Sequence, residues 1–328
     1  MLEIKNVYKT FNAGTVNEKV ALKGLDLALE DGDFVTVIGG NGAGKSTMLN
    51  AVAGVWPVDM GKIIIDGKDV THLSEHQRAK YIGRVFQDPM MGTAATMQID
   101  ENLALAARRG LARTLKIGIT KKEHDEYYEL LKTLDLGLEN RMTSKVGLLS
   151  GGQRQAVTLL MATLKKPKLL LLDEHTAALD PKTAAKVLTL SEKIVEENHL
   201  TTLMITHNMK DAIAHGNRLI MMDAGHVVVD ISGEDKKKLT VPDLLALFSK
   251  ASGSDEALRL IRATQQSFFE GIRYAQEGYR LSDISAAIQA YAESQGYSIV
   301  REYVGHGIGR NMHEAPEVPN YGRPGHGP

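Results

Sequence analysis

Residues 39–46 read GGNGAGKS and fit the pattern G-x-x-x-x-G-K-[ST], which forms a loop around the phosphates of a nucleotide. Glycines are needed in such a loop because backbone N–H groups must converge on phosphate oxygens without side chains in the way. We expect Lys45 to reach the β- and γ-phosphates and Ser46 to coordinate Mg²⁺. A chance glycine-rich turn is the alternative, and the neighbouring motifs argue against it.

Two carboxylates follow a run of leucines. Positions 169–172 are all leucine, which is typical of a buried strand, and Asp173 and Glu174 come directly after them. Carboxylates in such a place are costly unless they are paired or lie near a metal ion. We predict that Asp173 is a direct or second-shell partner of Mg²⁺ and that Glu174 is the general base that orients and activates the attacking water. A solvated acidic pair is the alternative, and it would be preferred if the pair stood alone.

The segments around these motifs alternate between predicted strands and helices. The strands are expected at 2–7, 20–29, 34–38, 61–67, 169–172 and 201–206, with a hairpin around 223–225. The helices are expected from residue 46 onward and at 100–109, 121–135, 151–164 and 182–197. This alternation predicts an α/β sheet with a parallel core, interrupted by a helical subdomain at about 90–165.

A serine-glycine-glycine turn lies within residues 149–153, LSGGQ, at the start of a predicted helix. Together with the phosphate loop and the acidic pair, it resembles the ATP-binding-cassette (ABC) ATPases over roughly residues 1–250. The resemblance implies an α/β fold with a P-loop NTPase (RecA-like) core, an antiparallel β subdomain and a helical subdomain. It also implies ATP and Mg²⁺ as cofactors.

The resemblance assigns roles to four further residues. Gln87 is the residue that senses Mg²⁺ and the lytic water and couples to a membrane partner. His207 is the switch histidine at the γ-phosphate, and Asp180 contacts the site of the other subunit. Phe11 is expected to stack on adenine, although Tyr8 is close enough in sequence to take its place. A lone glutamine, histidine or aromatic residue is usually solvated or packed, so the order of these residues along the chain carries the assignment.

The LSGGQ turn implies an assembly of two cassettes. In the ABC family this turn does not touch its own phosphate loop and instead caps the ATP that a second subunit holds. The expected contacts with the nucleotide of the partner are made by Ser150, Gly151, Gly152 and Gln153. Those with the nucleotide of the same chain are made by Gly39, Asn41, Gly42, Gly44, Lys45, Ser46 and Thr47. One set of motifs per chain therefore predicts a partner ATP-binding subunit, with a homodimer favoured.

His175 departs from the usual family pattern, in which proline follows the catalytic glutamate. A harmless loop substitution is the preferred interpretation. The alternative is that His175 adds a titratable group beside Glu174. The sequence assigns no role to His175.

The composition limits the function classes. The net charge of −1 gives no general attraction to nucleic acid or anionic lipid, so no nucleic-acid partner is expected. The absence of cysteine excludes disulfides and thiolate metal sites and suits a reducing cytosol. The N-terminus does not resemble a signal peptide, and no apolar run approaches the ~20 residues of a membrane helix. A separate permease is therefore expected to supply the membrane part, with this chain at the cytoplasmic face of the cell membrane.

The composition changes near residue 252, where we expect a linker at 251–254. Beyond it, residues 301–310 and 312–316 resemble part of a type I methionine aminopeptidase, so that 255–328 is expected to be a partial pita-bread α+β fragment. A fused gene fragment or an assembly accident is the preferred origin of this tail.

The resemblance implies that the tail lacks a metal site. The aminopeptidase family holds two metal ions with two Asp, one His and two Glu, and His306 alone matches this set. His313 matches a second histidine, which aids substrate binding and catalysis. One imidazole cannot hold two cations that need carboxylate oxygens, so we predict no peptidase activity. Half of such a fold also leaves apolar residues without their full core, namely Tyr274, Ile284, Ile288, Tyr291 and Tyr297.

The motifs favour the energy-coupling ATPase of a prokaryotic membrane importer, with a permease and an extracytoplasmic substrate-binding protein as partners. An ABC exporter subunit shares every catalytic motif and is the alternative. A soluble ABC ATPase acting on nucleic acid or ribosomes usually has two cassettes or a long coiled coil, and neither occurs here. A bifunctional ATPase-peptidase is disfavoured by the missing metal ligands. The pattern bears a faint resemblance to systems for aromatic amino acids, but other subunits choose the substrate, so the sequence leaves it open.

Overall fold

The chain forms two compact units, Met1–Phe248 and Ser249–Pro328. The computed structural model describes residues 1–111, 118–252, 255–301, 303–307 and 314–327.

The first unit is built on a six-stranded sheet with the order β10-β9-β3-β8-β7-β6, in which all neighbours are parallel except β9 and β10. Its strands are β3 (Phe34–Gly39), β6 (Ile82–Val85), β7 (Leu169–Asp173), β8 (Thr201–Ile205), β9 (Arg218–Asp223) and β10 (His226–Ser232). The four leucines of β7 are fully buried, as expected of a parallel strand that is covered on both faces.

A smaller antiparallel sheet with the order β2-β1-β4-β5 packs against this core. Its strands are β1 (Leu2–Phe11), β2 (Lys19–Leu29), β4 (Met60–Ile65) and β5 (Lys68–Asp69). One apolar cluster joins both sheets, with Ile4 and Ile63 from the small sheet beside Val35 and Leu203 from the large one. The two sheets therefore share a single core.

The helices of the first unit surround these sheets. They are α1 (Lys45–Ala53), α2 (Glu75–Arg78), α3 (Ile99–Ala107), α4 (Lys121–Lys132), α5 (Gly151–Thr163), α6 (Pro181–Asn198), α7 (Met209–Ala214), α8 (Gly233–Lys238) and α9 (Val241–Ser252). Short 3₁₀ turns occupy Leu138–Arg141 and Val146–Leu148. The α/β class, with its parallel core, antiparallel subdomain and helical subdomain, is confirmed.

Helix α5 belongs to two apolar clusters at once. Ala156, Val157 and Leu160 pack with α3 and α4 in the core of the helical subdomain. Leu159 and Ala162 pack instead with the strands of the large sheet and with α6. This helix therefore connects the helical subdomain to the sheet.

A buried arginine ties α1 to the small sheet. Arg78 is 2% exposed, and its Nη1 donates to the carbonyl oxygens of Ala51 (2.7 Å) and Val52 (2.8 Å) near the end of α1. Its Nη2 donates to the Thr71 carbonyl and its Nε to the Leu73 carbonyl, both at 2.9 Å. Burial lowers the pKa of Arg78, and Asp69 opposes that effect. Because four carbonyls accept from one guanidinium, this side chain fixes α1 relative to the loop after β5.

The second unit contains α10 (Asp255–Ile272), α11 (Leu281–Ser294), β11 (Gly305–Gly307) and β12 (Glu314–Val318), with the two strands antiparallel. The helices approach closely at Gly271, where an added Cβ would lie 2.5 Å from Cγ1 of Ile288. The five side chains expected to lack a full core are all exposed or half-buried: Tyr274, Ile284, Ile288, Tyr291 and Tyr297. The expected linker at 251–254 overlaps the end of α9, which is helical to Ser252, and residues 253–254 lie outside the described part.

Strand β6 is one of the elements that the sequence did not predict. It is only four residues long and it forms the edge of the large sheet beside β7.

Among the described residues, no helix combines the length and the apolar character that crossing a bilayer requires.

Candidate functional site

The phosphate loop, the acidic pair and His207 meet at the carboxyl edge of the large sheet. Strands β3, β8 and β7 are parallel neighbours, and each is followed at this edge by one of the motifs. The phosphate loop follows β3, Asp173 ends β7, and His207 lies two residues after β8. Ligands of open α/β sheets bind beyond the carboxyl ends of the strands, so the topology itself forms the site.

The phosphate loop leads directly into the N-terminus of α1. Gly44 is the N-cap residue with φ +100°, and no side chain caps the helix. A Cβ at this position would lie 2.8 Å from the carbonyl oxygen of Ala21, so both the backbone angle and the close approach require glycine. The first N–H groups of a helix have no partner within the helix, and they carry partial positive charge. This end of α1 therefore suits an anion.

Lys45 lies over the loop. It is 5% exposed, and its Nζ donates to the carbonyl oxygens of Gly39 (2.8 Å) and Gly40 (3.0 Å). Burial lowers the pKa of Lys45, and the negative charge of Glu174 acts in the opposite direction. A cation is thus held beside the positive end of α1.

These groups line a cavity of about 310 Å³, a size suited to a small molecule. Its walls are formed by Phe11, Lys19, Ala21, Asn41, Gly42, Ala43, Gly44, Lys45, Ser46, Thr47, Glu174 and His207. Phe11, and not the alternative Tyr8, lies in this wall, and its ring meets Trp56 edge to face at 4.9 Å. The cavity therefore combines an aromatic face at one part with a cationic, N–H-rich loop at another.

Glu174 and His207 form a close pair at the edge of the cavity. Oε1 of Glu174 lies 2.5 Å from Nε2 of His207, and the side chains are 9% and 51% exposed, respectively. Glu174 has φ +45°, a conformation that non-glycine residues rarely adopt and that is often found at functional sites. The carboxylate is positioned to accept a proton within reach of a group bound at the loop.

Asp173 is paired with an arginine that the sequence analysis missed. Nη2 of Arg84 lies 3.3 Å from Oδ2 of Asp173, and it also donates to Oδ1 of Asn50 at 2.8 Å. The guanidinium carbon lies 4.5 Å from the centre of the Phe86 ring. Nothing in the sequence indicated this role, because Arg84 lies on strand β6, which the sequence did not predict.

The donor atoms suit a magnesium ion that shares its ligands with a nucleotide. Ser46 supplies a hydroxyl group and Asp173 a carboxylate, which are hard oxygen donors. Among the described residues, no group of three or more His, Cys, Asp and Glu side chains is placed to hold a metal ion. Mg²⁺ needs no such set of protein ligands, because it keeps several waters and commonly binds one or two carboxylates together with substrate phosphates.

Gln87 is exposed after β6 and is not among the residues that line the cavity.

The LSGGQ residues lie outside this cavity and form a helix N-terminus. Ser150 caps α5, and its Oγ accepts from the N–H of Gln153 at 3.3 Å. Oε1 of Gln153 accepts from the N–H of Ser150 at 3.2 Å, which completes a capping box. A Cβ at Gly152 would lie only 2.1 Å from Cγ2 of Thr183, whereas a Cβ at Gly151 would be 3.2 Å from Leu179.

Asp180 is the N-cap residue of α6. Its Oδ1 accepts from the N–H of Thr183 at 3.1 Å, and hydrogen bonds to Thr183 lower its pKa. Asp180 is exposed and, like the LSGGQ turn, is not among the residues that line the cavity.

His175 is buried beneath the site. It is 2% exposed, and its Nε2 lies 3.0 Å from Oγ of Ser191, which itself donates to the Val187 carbonyl at 2.8 Å. Because the Ser191 proton is used, His175 donates from Nε2 and is the neutral tautomer with a proton on that nitrogen. Burial, with a smaller contribution from His215, lowers the pKa of His175 to about 4.

Lys19 and Ala21 are the other wall residues that the sequence analysis missed. Lys19 pairs with Phe11 across strands β2 and β1, so the hairpin that positions the aromatic ring also places this lysine. Because cross-strand partners face the same side of a sheet, Lys19 could have been predicted to lie beside Phe11. That prediction would have required the pairing register of β1 and β2, which the sequence alone does not give.

In the second unit, His306 lies on β11 with Nδ1 3.0 Å from the Gly307 carbonyl oxygen. His313 lies outside the described residues.

Comparison with known proteins gives two families. The ABC transporter family matches residues 22–177, and the metallopeptidase family M24 matches residues 192–327. The second match begins within α6, so its first part overlaps strands β8, β9 and β10 of the first unit.

Curated relatives and solved structures agree on the first unit. A tyrosine transport ATP-binding protein of Clostridioides difficile is 45% identical over 251 residues, which cover 76% of this chain and 100% of that protein. A phosphonates import ATP-binding protein of Lactobacillus acidophilus is 31% identical over 247 residues, covering 74% and 94%. A dimeric ATP-binding cassette in a post-hydrolysis state with ADP and Pi matches with a TM-score of 0.61 and 31% identity, covering 71% of this chain and 98% of that one.

The chain therefore belongs to the ATP-binding proteins of ABC transporters. It is an ATP-binding cassette with ATPase activity, joined to a segment similar to family M24.

Proposed function

We propose that the first unit hydrolyses ATP with Mg²⁺ at the cavity beside α1 and thereby drives import through a separate membrane permease. The observation that carries this proposal is the cavity itself. An aromatic ring, a phosphate loop, a buried lysine and the Glu174–His207 pair line a single space of about 310 Å³.

The residues in and near the cavity have separate proposed tasks. Phe11 stacks on the adenine, while the loop N–H groups and Lys45 bind the phosphates. Ser46 and Asp173 would hold Mg²⁺, with Gln87 approaching when the permease docks. When bound, the ion neutralises charge on the phosphate oxygens.

In the reaction, water adds to the γ-phosphorus and the bond to the β–γ bridging oxygen breaks. Glu174 takes the proton that the water loses. His207 keeps the Glu174 carboxylate oriented through the contact of 2.5 Å and approaches the γ-phosphate. Asp173 is held in place by its ion pair with Arg84.

We further propose that two copies close over two ATP molecules. The LSGGQ residues and Asp180 lie at exposed helix N-termini outside the cavity of their own chain, which supports contacts with the nucleotide of a partner subunit. The dimeric solved cassette with ADP and Pi supports the same arrangement. Phosphate contacts across the interface are charge-assisted, so hydrolysis weakens them and lets the pair open.

Import of an aromatic amino acid is the favoured transport reaction. The tyrosine transport relative is 45% identical over its full length, whereas the phosphonate relative is 31% identical. The ATPase sits at the cytoplasmic face and an extracytoplasmic binding protein delivers the substrate. The second unit is proposed to have no peptidase activity, because among the described residues no group of three or more His, Cys, Asp and Glu side chains is placed to hold a metal ion.

The test is purification of the tagged chain from membranes of its native host in mild detergent. Recovery of a polytopic membrane protein together with a binding protein for tyrosine supports the importer. A permease without a binding protein favours an exporter, and ribosomal or DNA-repair partners without a permease refute transport. The Glu174→Gln variant is the control for ATP-dependent tyrosine uptake. Peptide cleavage by the chain with added Co²⁺ or Mn²⁺ would refute an inactive tail.

A further inference from the structure

We infer that Arg84 is a positioning residue for the magnesium site: its guanidinium is the resident counter-cation of Asp173, and it sets how much Mg²⁺ the site requires. The inference rests on the proposed function. It adds a residue that belongs to none of the motifs described above.

The position of Arg84 is fixed from three sides. It lies on β6, its Nη2 donates to Asn50 on α1 at 2.8 Å, and the same atom lies 3.3 Å from Asp173 at the end of β7. The centre of the Phe86 ring lies 4.5 Å from the guanidinium carbon of Arg84, which is within the range of a cation–π contact. A long side chain held at this many points has little rotational freedom, so the charge stays at one place.

The pair is shielded from water. The side chains of Arg84 and Asp173 are 13% and 17% exposed. Nε of Arg84 is buried and has no hydrogen-bond partner among the described residues. Leaving a buried donor unsatisfied costs free energy, so this pair is weak evidence for a contribution to stability.

The same carboxylate is the proposed ligand of Mg²⁺. The contact of 3.3 Å with Arg84 holds the Asp173 carboxylate in one orientation. A Mg²⁺ ion held by Asp173 would share this carboxylate with the Arg84 guanidinium, and the two positive charges would repel each other where little water screens them. Arg84 would therefore lower the affinity of the site for Mg²⁺ without nucleotide, and the negative charge of nucleotide phosphates would offset the repulsion.

The experiment measures metal dependence without turnover. Trp56 is the only tryptophan, and it contacts Phe11 in the nucleotide cavity, so its fluorescence reports ATP binding. ATP is titrated into the full-length Glu174→Gln protein at a series of free Mg²⁺ concentrations and in EDTA. The same titrations are made with Arg84→Gln, Arg84→Lys and, as a matched control, the exposed Arg141→Gln, each in the Glu174→Gln background.

Arg84→Gln is expected to lower the half-saturating Mg²⁺ concentration by about tenfold, because repulsion of a divalent ion is removed. The ATP affinity of this variant in EDTA should stay within about threefold of the affinity of the Glu174→Gln parent. Arg84→Lys keeps the charge and should remain within about threefold of the parent in Mg²⁺ requirement, and Arg141→Gln should not differ from it.

An unchanged or raised Mg²⁺ requirement in Arg84→Gln refutes the role of Arg84, provided that the urea midpoint followed at Trp56 shows a folded protein. If Arg84→Gln does not fold, a tenfold shift in Arg84→Lys refutes the charge argument by itself. If the Trp56 fluorescence of the parent protein does not change when ATP is added, the proposed function is overturned as well. The failure of the proposed function can thus be distinguished from the failure of the role of Arg84.

Discussion

The stability of the first unit should depend on pH through His175. The imidazole is neutral and buried, with a pKa of about 4 against an ordinary value of 6.5. As the pH falls below 6.5, the unfolded chain takes up a proton that the folded chain refuses. The stabilisation is therefore complete above pH 6.5 and is lost between pH 6.5 and 4.

The magnitude follows from the difference of 2.5 in pKa. At about 1.36 kcal/mol for each pKa unit, the total loss is about 3 kcal/mol, of which about 2 kcal/mol falls between pH 7 and pH 5. Substitution of His175 by Gln removes the titrating group while keeping an N–H donor for Ser191.

Urea unfolding followed at Trp56 is the assay, because this residue lies in the first unit and reports that unit alone. Between pH 7 and pH 5 the parent should lose about 2 kcal/mol more than His175→Gln. Replacement of the exposed His226 by Gln is the matched control and should follow the parent. Parallel losses in the parent and His175→Gln would show that His175 does not titrate as a buried neutral group.

Three further perturbations test other parts of the first unit. Glu174→Gln should slow ATP hydrolysis by at least ~10²-fold while sparing ATP binding, and near-normal turnover would remove Glu174 from its role as base. Gly152→Ala should destabilise the first unit by about 1–3 kcal/mol through the 2.1 Å contact with Thr183. Adding Thr183→Ser, which deletes Cγ2, should restore most of the urea midpoint, and no rescue would contradict the steric cause. Arg78→Met should lower the free energy of unfolding by at least about 3 kcal/mol, because four carbonyl oxygens lose their donor. A change under about 1 kcal/mol, as expected for the control Arg141→Met at an exposed position, would refute this prediction.

Much of the site could be predicted because local sequence determines it. The phosphate loop needs glycine where the backbone has positive φ and approaches Ala21, and these demands are visible as a motif. The leucine run of β7 predicts a doubly covered strand with the acidic pair at its end. The three motifs on β3, β7 and β8 converge because parallel neighbours place their carboxyl ends at one edge.

The missed features depend on contacts between segments that are distant in sequence. Strand β6 has four residues, too few for a periodic pattern, and it pairs with a strand 87 residues later, as Ile82 with Leu169 shows. Arg84 was missed with it. Arg78 was missed because nothing in the local sequence shows that four carbonyls will surround a surface-type residue.

Helix α5 has a mechanical consequence. One part of it is held among the strands of the sheet, while Ser150 caps its opposite, exposed end. At 1.5 Å per residue, its 13 residues form a rigid lever arm of about 20 Å. A tilt of only about 10° about the anchored end would sweep Ser150 through roughly 3 Å, as far as a hydrogen bond is long. A small rotation within the cassette would thus be amplified at the exposed LSGGQ end of α5, which is the surface proposed to contact a partner subunit.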